Sequence, residues 1–161
     1  MTGKEQINQE RLQTSIDKCR IHLKRLQYAT SQIEALFPLT VDTYNQLSEA
    51  SIGSIDQLVF RFTKLQDELG NNTFRFLLEY LQEDIVGKPF RDILNILERL
   101  QIIDSSDAWL SLRELRNDLT HEYPMMVDET IRKLNYLLLQ LPIMKSILET
   151  IEKQITSLRS Q

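Results

Sequence analysis

Leu12, Ile16, Cys19, Leu23, Leu26, Thr30, Ile33 and Phe37 follow one another at alternating intervals of four and three, with no glycine or proline between them. Residues at that spacing line one side of a 3.6-residue helix. The spacing predicts an amphipathic helix over roughly 6 to 37, ended by Pro38. Glycine and proline number only four each in 161 residues. A β-sandwich or barrel needs turn residues far more often than that, so the chain is expected to be all-α. With 42% hydrophobic residues it has enough apolar material for one core. The whole chain, 1–161, reads as a single helical domain.

The same logic divides the rest. After a polar loop, Ser54-Ile-Asp-Gln57 has the form of a capping box, although that helix could begin a few residues earlier. Ile55, Leu58, Phe62, Leu65 and Leu69 mark this second helix, and "GNN" at 70–72 kinks or divides it. Its pattern resumes at Phe74, Leu77, Leu78 and Leu81, to about Asp84. "VGKP" at 86–89 is a break. A third helix is expected over Phe90–Ile102, with Pro89 at its start. "DSSD" at 104–107 caps a fourth, from about Asp107 to His121, and Pro124 closes that region. Asp128 to about Ser157 forms a last long helix, kinked at Pro142. Its seam is Val127, Ile131, Leu134, Leu138, Leu141, Leu148, Ile151, Ile155 and Leu158. About five helices in an up-and-down antiparallel bundle is the simplest arrangement. The seams would also suit an intermolecular coiled coil.

Charge and rare residues exclude several functions. A net charge of -4 and a pI near 5.3 leave no broad basic face for duplex nucleic acid. A lone cysteine, Cys19, forms no intrachain disulfide and no cysteine zinc site, and two histidines build no His-rich metal site. Carboxylates could still hold a hard cation, but no metal and no cofactor are expected. The first residues, "MTGKEQINQERLQ", have no apolar signal core. The most apolar run, "LNYLLLQLPIMKSIL", is interrupted by Asn, Gln, Pro and Lys and makes a poor transmembrane span. The expectation is a soluble, cytoplasmic protein with no membrane partner.

"RNDLTHEYP", residues 116–124, concentrates the chemistry. On a helical wheel Ala108, Leu112, Leu115 and Leu119 make the core face, with Trp109, Arg116 and Tyr123 along its margin. Asn117 and His121 share a different face, away from the core. Arg116 and His121 then point about 140° apart. Either the helix loosens before His121, or the outer face packs on another chain and Arg116 curls round to meet it. The second case predicts a homodimer with a shared polar cleft.

Histidine moves protons near neutral pH, and arginine binds a phosphate through two parallel hydrogen bonds. Asn117, one turn before His121, could orient its ring. Together these suit metal-free cleavage of RNA. His121 would help a 2′-hydroxyl attack the adjacent phosphate, and Arg116 would stabilise the pentacoordinate phosphorus, leaving a 2′,3′-cyclic phosphate. DNA lacks that hydroxyl and would be spared. The same pair near a helix C-terminus also offsets the macrodipole and caps carbonyls, and a tyrosine before a proline is most often a packing residue with its hydroxyl in water.

Residues 108–123, "AWLSLRELRNDLTHEY", resemble the motif helix of the HEPN family. The family pattern is R-x-x-x-x-H-x-Y, often with Asn after the Arg and a Trp upstream; Arg116, Asn117, His121, Tyr123 and Trp109 match it. "LERLQIIDSSDAW" leading into the motif and "DQLVFRFTKLQDEL" at 56–69 are similar to the family as well, as is the order of helices. The chain is most similar to the toxin of toxin–antitoxin pairs whose antitoxin is a minimal nucleotidyltransferase. The resemblance implies a metal-independent endoribonuclease that dimerises so that two motifs face one cleft. Arg116 and His121 would be catalytic and Asn117 supporting. Tyr123 would be the residue to which the antitoxin transfers AMP, blocking phosphate binding beside Arg116. Asp56, Lys64 and Asp67 are candidates for assisting residues, with ordinary solvated charge as the plainer reading. Glu114, Asp118 and Glu122 put negative charge near the RNA site. The rival implication is a non-enzymatic substrate-binding subunit of a nucleotidyltransferase; a helical interaction domain with an idle motif is the third.

Overall fold

Thr2 starts the first helix of the computed structural model, which describes residues 1–124 and 126–161. Its hydroxyl accepts from the Glu5 amide, and the Glu5 carboxylate accepts from the Thr2 amide. Two of the donors that a helix start leaves open are satisfied in this way. Helix α1 runs from Gly3 to Ile33. Its seam is buried at Leu12, Ile16, Cys19, Leu26 and Ile33, and partly buried at Leu23 and Phe37. The α-helical part stops four residues short of the expected end, because a tighter 3-10 turn, Glu34–Leu36, carries the seam on to Phe37.

The supposed polar loop contains a short helix, α2 (Val41–Asn45), capped by Thr40. Five residues are too few to show a helical period. Helix α3 spans Glu49–Glu68 and is capped by Ser48, whose hydroxyl accepts from the Ser51 amide, not by Ser54. Its first turn is mostly exposed, so the apolar seam becomes visible only at Ile55.

"GNN" neither breaks nor simply kinks the chain. Leu69–Thr73 forms a π-helical turn that leads directly into α4 (Phe74–Tyr80). A π turn shifts one hydrogen bond by a residue and leaves a carbonyl in need of a donor. Here the Thr73 hydroxyl donates to the Glu68 carbonyl at 3.2 Å and lies 2.7 Å from Ser15 Oγ. Ser15 also donates to the Glu68 carboxylate at 2.7 Å, and Asn72 donates to its other oxygen. Thr73→Val keeps the shape and removes this hydroxyl. Leaving the buried partners unsatisfied is expected to cost about 1–3 kcal/mol. The check is the urea midpoint; an unmoved midpoint would mean that the hydroxyl does not hold the turn.

Pro89 precedes α5 (Phe90–Arg99). This helix ends before Ile102 because Gln101 adopts a left-handed conformation, φ 60°, and the Ile102 amide turns back to the Leu97 carbonyl. Helix α6 covers Ser106–His121, with the Ser105 hydroxyl accepting from the Ala108 amide. Helix α7 covers Val127–Arg159 and is continuous through Pro142.

Cross-helix contacts fix the directions. Ser15 meets Glu68 while His22 meets Arg61, so α3 runs antiparallel to α1. Asp67 meets Arg116 while Asp56 meets Tyr123, so α6 runs antiparallel to α3. Gln13 meets Arg159 while Arg20 meets Glu152, so α7 runs antiparallel to α1. Asp118 and Lys133 join α6 to α7. The result is an up-down-up-down bundle of α1, α3, α6 and α7, with α5 packed beside α4 and α6. The Asn135 amide bonds both backbone groups of Leu39 and ties the segment before α2 to α7. Among the described residues, no helix is long and apolar enough to cross a membrane.

One wheel placement is corrected. Trp109 is not marginal; it is 1% exposed and packs edge-on against Phe74, with ring centroids 4.6 Å apart. The first turns of α6 meet α5 through Ser106 and Asn95 and the π turn and α4 through Trp109, so here neighbours surround more than one face of the helix.

Candidate functional site

The α-helical state of α6 persists through His121, so the helix does not loosen before it. Arg116 and His121 therefore stay about 140° apart around the axis. Arg116 turns towards α3. Its Nε donates to Asp67 Oδ1 at 2.7 Å and its Nη2 to Asp67 Oδ2 at 2.8 Å, a two-pronged pair. A third donor, Nη1, reaches Asn117 Oδ1 at 3.2 Å. A guanidinium carries five N–H groups. Three are used, so two remain, one on each terminal nitrogen. Asp67 raises the proton affinity of Arg116 above its already high value, against a smaller opposing effect of burial. The arginine is a fixed, permanent cation whose free N–H groups are aimed by its own salt bridge.

His121 closes the helix and is exposed. It makes no hydrogen bond or ion pair among the described residues. Asn117 is engaged with Arg116, not with the His121 ring. The other histidine, His22, has its Nδ1 3.1 Å from Arg61 Nη1. Arginine only donates, so this nitrogen accepts and the ring is neutral. Burial first, then the Arg61 charge, depresses its proton affinity.

Tyr123 lies past the end of α6, half-buried, with its hydroxyl donating to Asp56 Oδ1 at 2.9 Å. Burial pushes its phenol well above the usual tyrosine range, and the Asp56 hydrogen bond and charge add to this. Tyr123 and Asp56 sit with Tyr44, Leu47, Ile52 and Pro124 around a cavity of about 400 Å³. The hydroxyl is therefore bonded to protein and not simply to water. A larger groove, about 800 Å³, lies elsewhere, beside the start of α1 and residues 79–86.

Of the three candidate assisting residues on α3, two have partners on or beyond α6, although Asp56 is itself exposed. Asp67 and Asp56 anchor Arg116 and Tyr123 to α3. Lys64 remains exposed, its ammonium 5.6 Å from the Phe60 ring. On α3 the eleven residues from Asp56 to Asp67 return within about 20° of one face, so both carboxylates lie on the same side of that helix. Asp118 is matched by Lys133 at 2.7 Å, whereas Glu114 and Glu122 are exposed.

The Arg116–Asp67 side chains are 22% and 30% exposed. A double-mutant cycle with Asp67→Ala and Arg116→Ala should give a coupling energy of about 1 kcal/mol, between the values for surface and buried pairs. A coupling indistinguishable from zero would mean that Asp67 does not hold the arginine.

Among the described residues no three His, Cys, Asp or Glu side chains converge as metal donors. No family model, curated protein or solved structure matches the chain.

Proposed function

We propose that the protein is a metal-independent endoribonuclease acting as a dimer, and that it is the toxin of a cytoplasmic pair with a nucleotidyltransferase. The observation that carries this reading is the division of labour on α6. His121 is exposed and uncommitted, while Arg116 is held by Asp67 with two N–H groups left to offer. A proton carrier and an oriented cation are what transfer of an RNA phosphate to its own 2′-oxygen requires. His121 takes the 2′-hydroxyl proton. The 2′-oxygen bonds to phosphorus, the 5′-oxygen leaves with a proton, and a 2′,3′-cyclic phosphate remains. Two outer faces of α6 meeting across a dimer would bring each exposed histidine towards a neighbouring arginine. Tyr123 is the proposed acceptor of AMP from the partner enzyme. Adding it would displace the hydroxyl from Asp56 and add bulk and negative charge at the same end of the seam between α3 and α6.

A second reading has its own support. Within one chain Arg116 and His121 share no hydrogen bond, and most of the guanidinium is occupied by Asp67 and Asn117. That suits a non-catalytic subunit that presents RNA or a nucleotide to a nucleotidyltransferase.

The experiment is incubation of the pure, unmodified dimer with end-labelled RNA in excess EDTA, followed by identification of product ends. Cleavage to 2′,3′-cyclic phosphates supports the ribonuclease. RNA left intact by folded dimer moves the weight to the binding subunit.

A further inference from the structure

Between the π turn of α3 and the outer half of α6 lies a pocket of about 160 Å³ that borders Arg116 and Asn117. Its lining is unusual for a gap between helices. The remaining walls include Gln66, Gly70, Asn71, Phe90, Trp109 and Arg113.

The floor is Trp109. Its Nε1 is buried and has no hydrogen-bond partner among the described residues. Buried indole N–H groups normally find an acceptor. Gly70 packs directly on this edge of the indole: a Cβ there would lie 3.1 Å from Trp109 Cζ2 and 3.8 Å from Nε1. The π turn is what brings Gly70 to that position. Beside the floor, Gln66 lines the same pocket and is 3% exposed. At the rim the Arg113 guanidinium lies over the Phe90 ring, 5.1 Å from its centre, and Asn71 is exposed.

The chemistry identifies the occupant. A phosphate alone would be disfavoured here by the Asp67 carboxylate in the wall. A flat, neutral group bearing hydrogen-bond donors and acceptors would find amides, a carboxylate and an aromatic–guanidinium surface. Proteins read unpaired RNA bases with this set. The room is right for one ring, since a cavity of about 150 Å³ takes benzene.

We propose that this pocket receives one nucleobase of an RNA strand, pyrimidines in preference, while the adjoining phosphate lies on the free N–H groups of Arg116. The inference rests on the ribonuclease reading for its substrate class, but base binding does not require cleavage.

Trp109 is the single tryptophan of the chain, so its fluorescence reports on the pocket directly. The test titrates the dimer with CMP, UMP, AMP, GMP and, as a base-free control, ribose 5-phosphate. The proteins are wild type, His121→Ala, Gln66→Leu and the rim variant Asn71→Leu, with helicity checked for each. Saturable change with CMP and UMP is expected, equal in wild type and His121→Ala. It should be weaker with the purines, absent with ribose 5-phosphate and about tenfold weaker in affinity in at least one amide variant. An equal response to ribose 5-phosphate, or no response in protein that cleaves RNA, overturns the pocket and spares the ribonuclease. Base binding by protein that never cleaves RNA upholds the pocket and removes the ribonuclease.

Discussion

His121→Ala is expected to lower RNA cleavage by about two to four orders of magnitude, the usual contribution of a positioned proton carrier. It should leave stability within about 0.5 kcal/mol, because the imidazole is exposed and bonded to nothing among the described residues. The contrast between the two readouts is what makes the result informative. A fold-wide effect would move both; a catalytic one moves only the rate. Arg116→Ala should also abolish cleavage, but it strands Asp67 and so carries a stability cost that His121→Ala does not. Single-turnover cleavage beside urea melts on the same preparations checks both. If His121→Ala cleaves as fast as wild type, the proton carrier is another group and the motif reading fails.

Trp109→Ala is expected to cost about 3–5 kcal/mol, the range for deleting a buried large aromatic. In a chain of this size that corresponds to a fall in Tm of roughly 10 °C. The reason lies in its surroundings. The ring is fully enclosed, meets Phe74 edge-on and closes against Gly70, whose missing side chain leaves only one way to fill the space. Trp109→Phe should cost distinctly less. It shrinks the ring, yet the N–H it deletes has no partner to strand among the described residues. Urea midpoints of the two variants make the comparison. A loss below about 1 kcal/mol for Trp109→Ala would be too small for a tightly packed aromatic. It would also undercut the pocket floor on which the base-binding inference stands.

What could be read from the chain alone was local. Helical class, the positions of most helices and the breaks at Pro38, 86–89 and Pro124 follow from apolar spacing and from residues that cannot continue a helix. These are properties of neighbours in sequence. Errors came where the local signal was thin: α2 is a single turn, and the exposed start of α3 gave no period to count. The π turn at 69–73 was visible as an irregularity in "GNN", but its form depends on Ser15, far away in α1.

The residues that make up the polar stretch were also legible, because they sit together in sequence at the end of α6. Their partners were not. Asp67 lies 49 positions from Arg116, and Asp56 lies 67 from Tyr123. Only the register of α3 against α6 decides that these carboxylates meet those side chains while Lys64 faces solvent. Register is set by how the core side chains of both helices interlock, a sum over contacts between distant parts of the chain. The sequence by itself determined that there would be helices and that one would carry Arg116, Asn117 and His121, with Tyr123 just beyond its end. Tertiary packing decided that Arg116 is clamped, that His121 is left free, and that a pocket floored by Trp109 opens beside them.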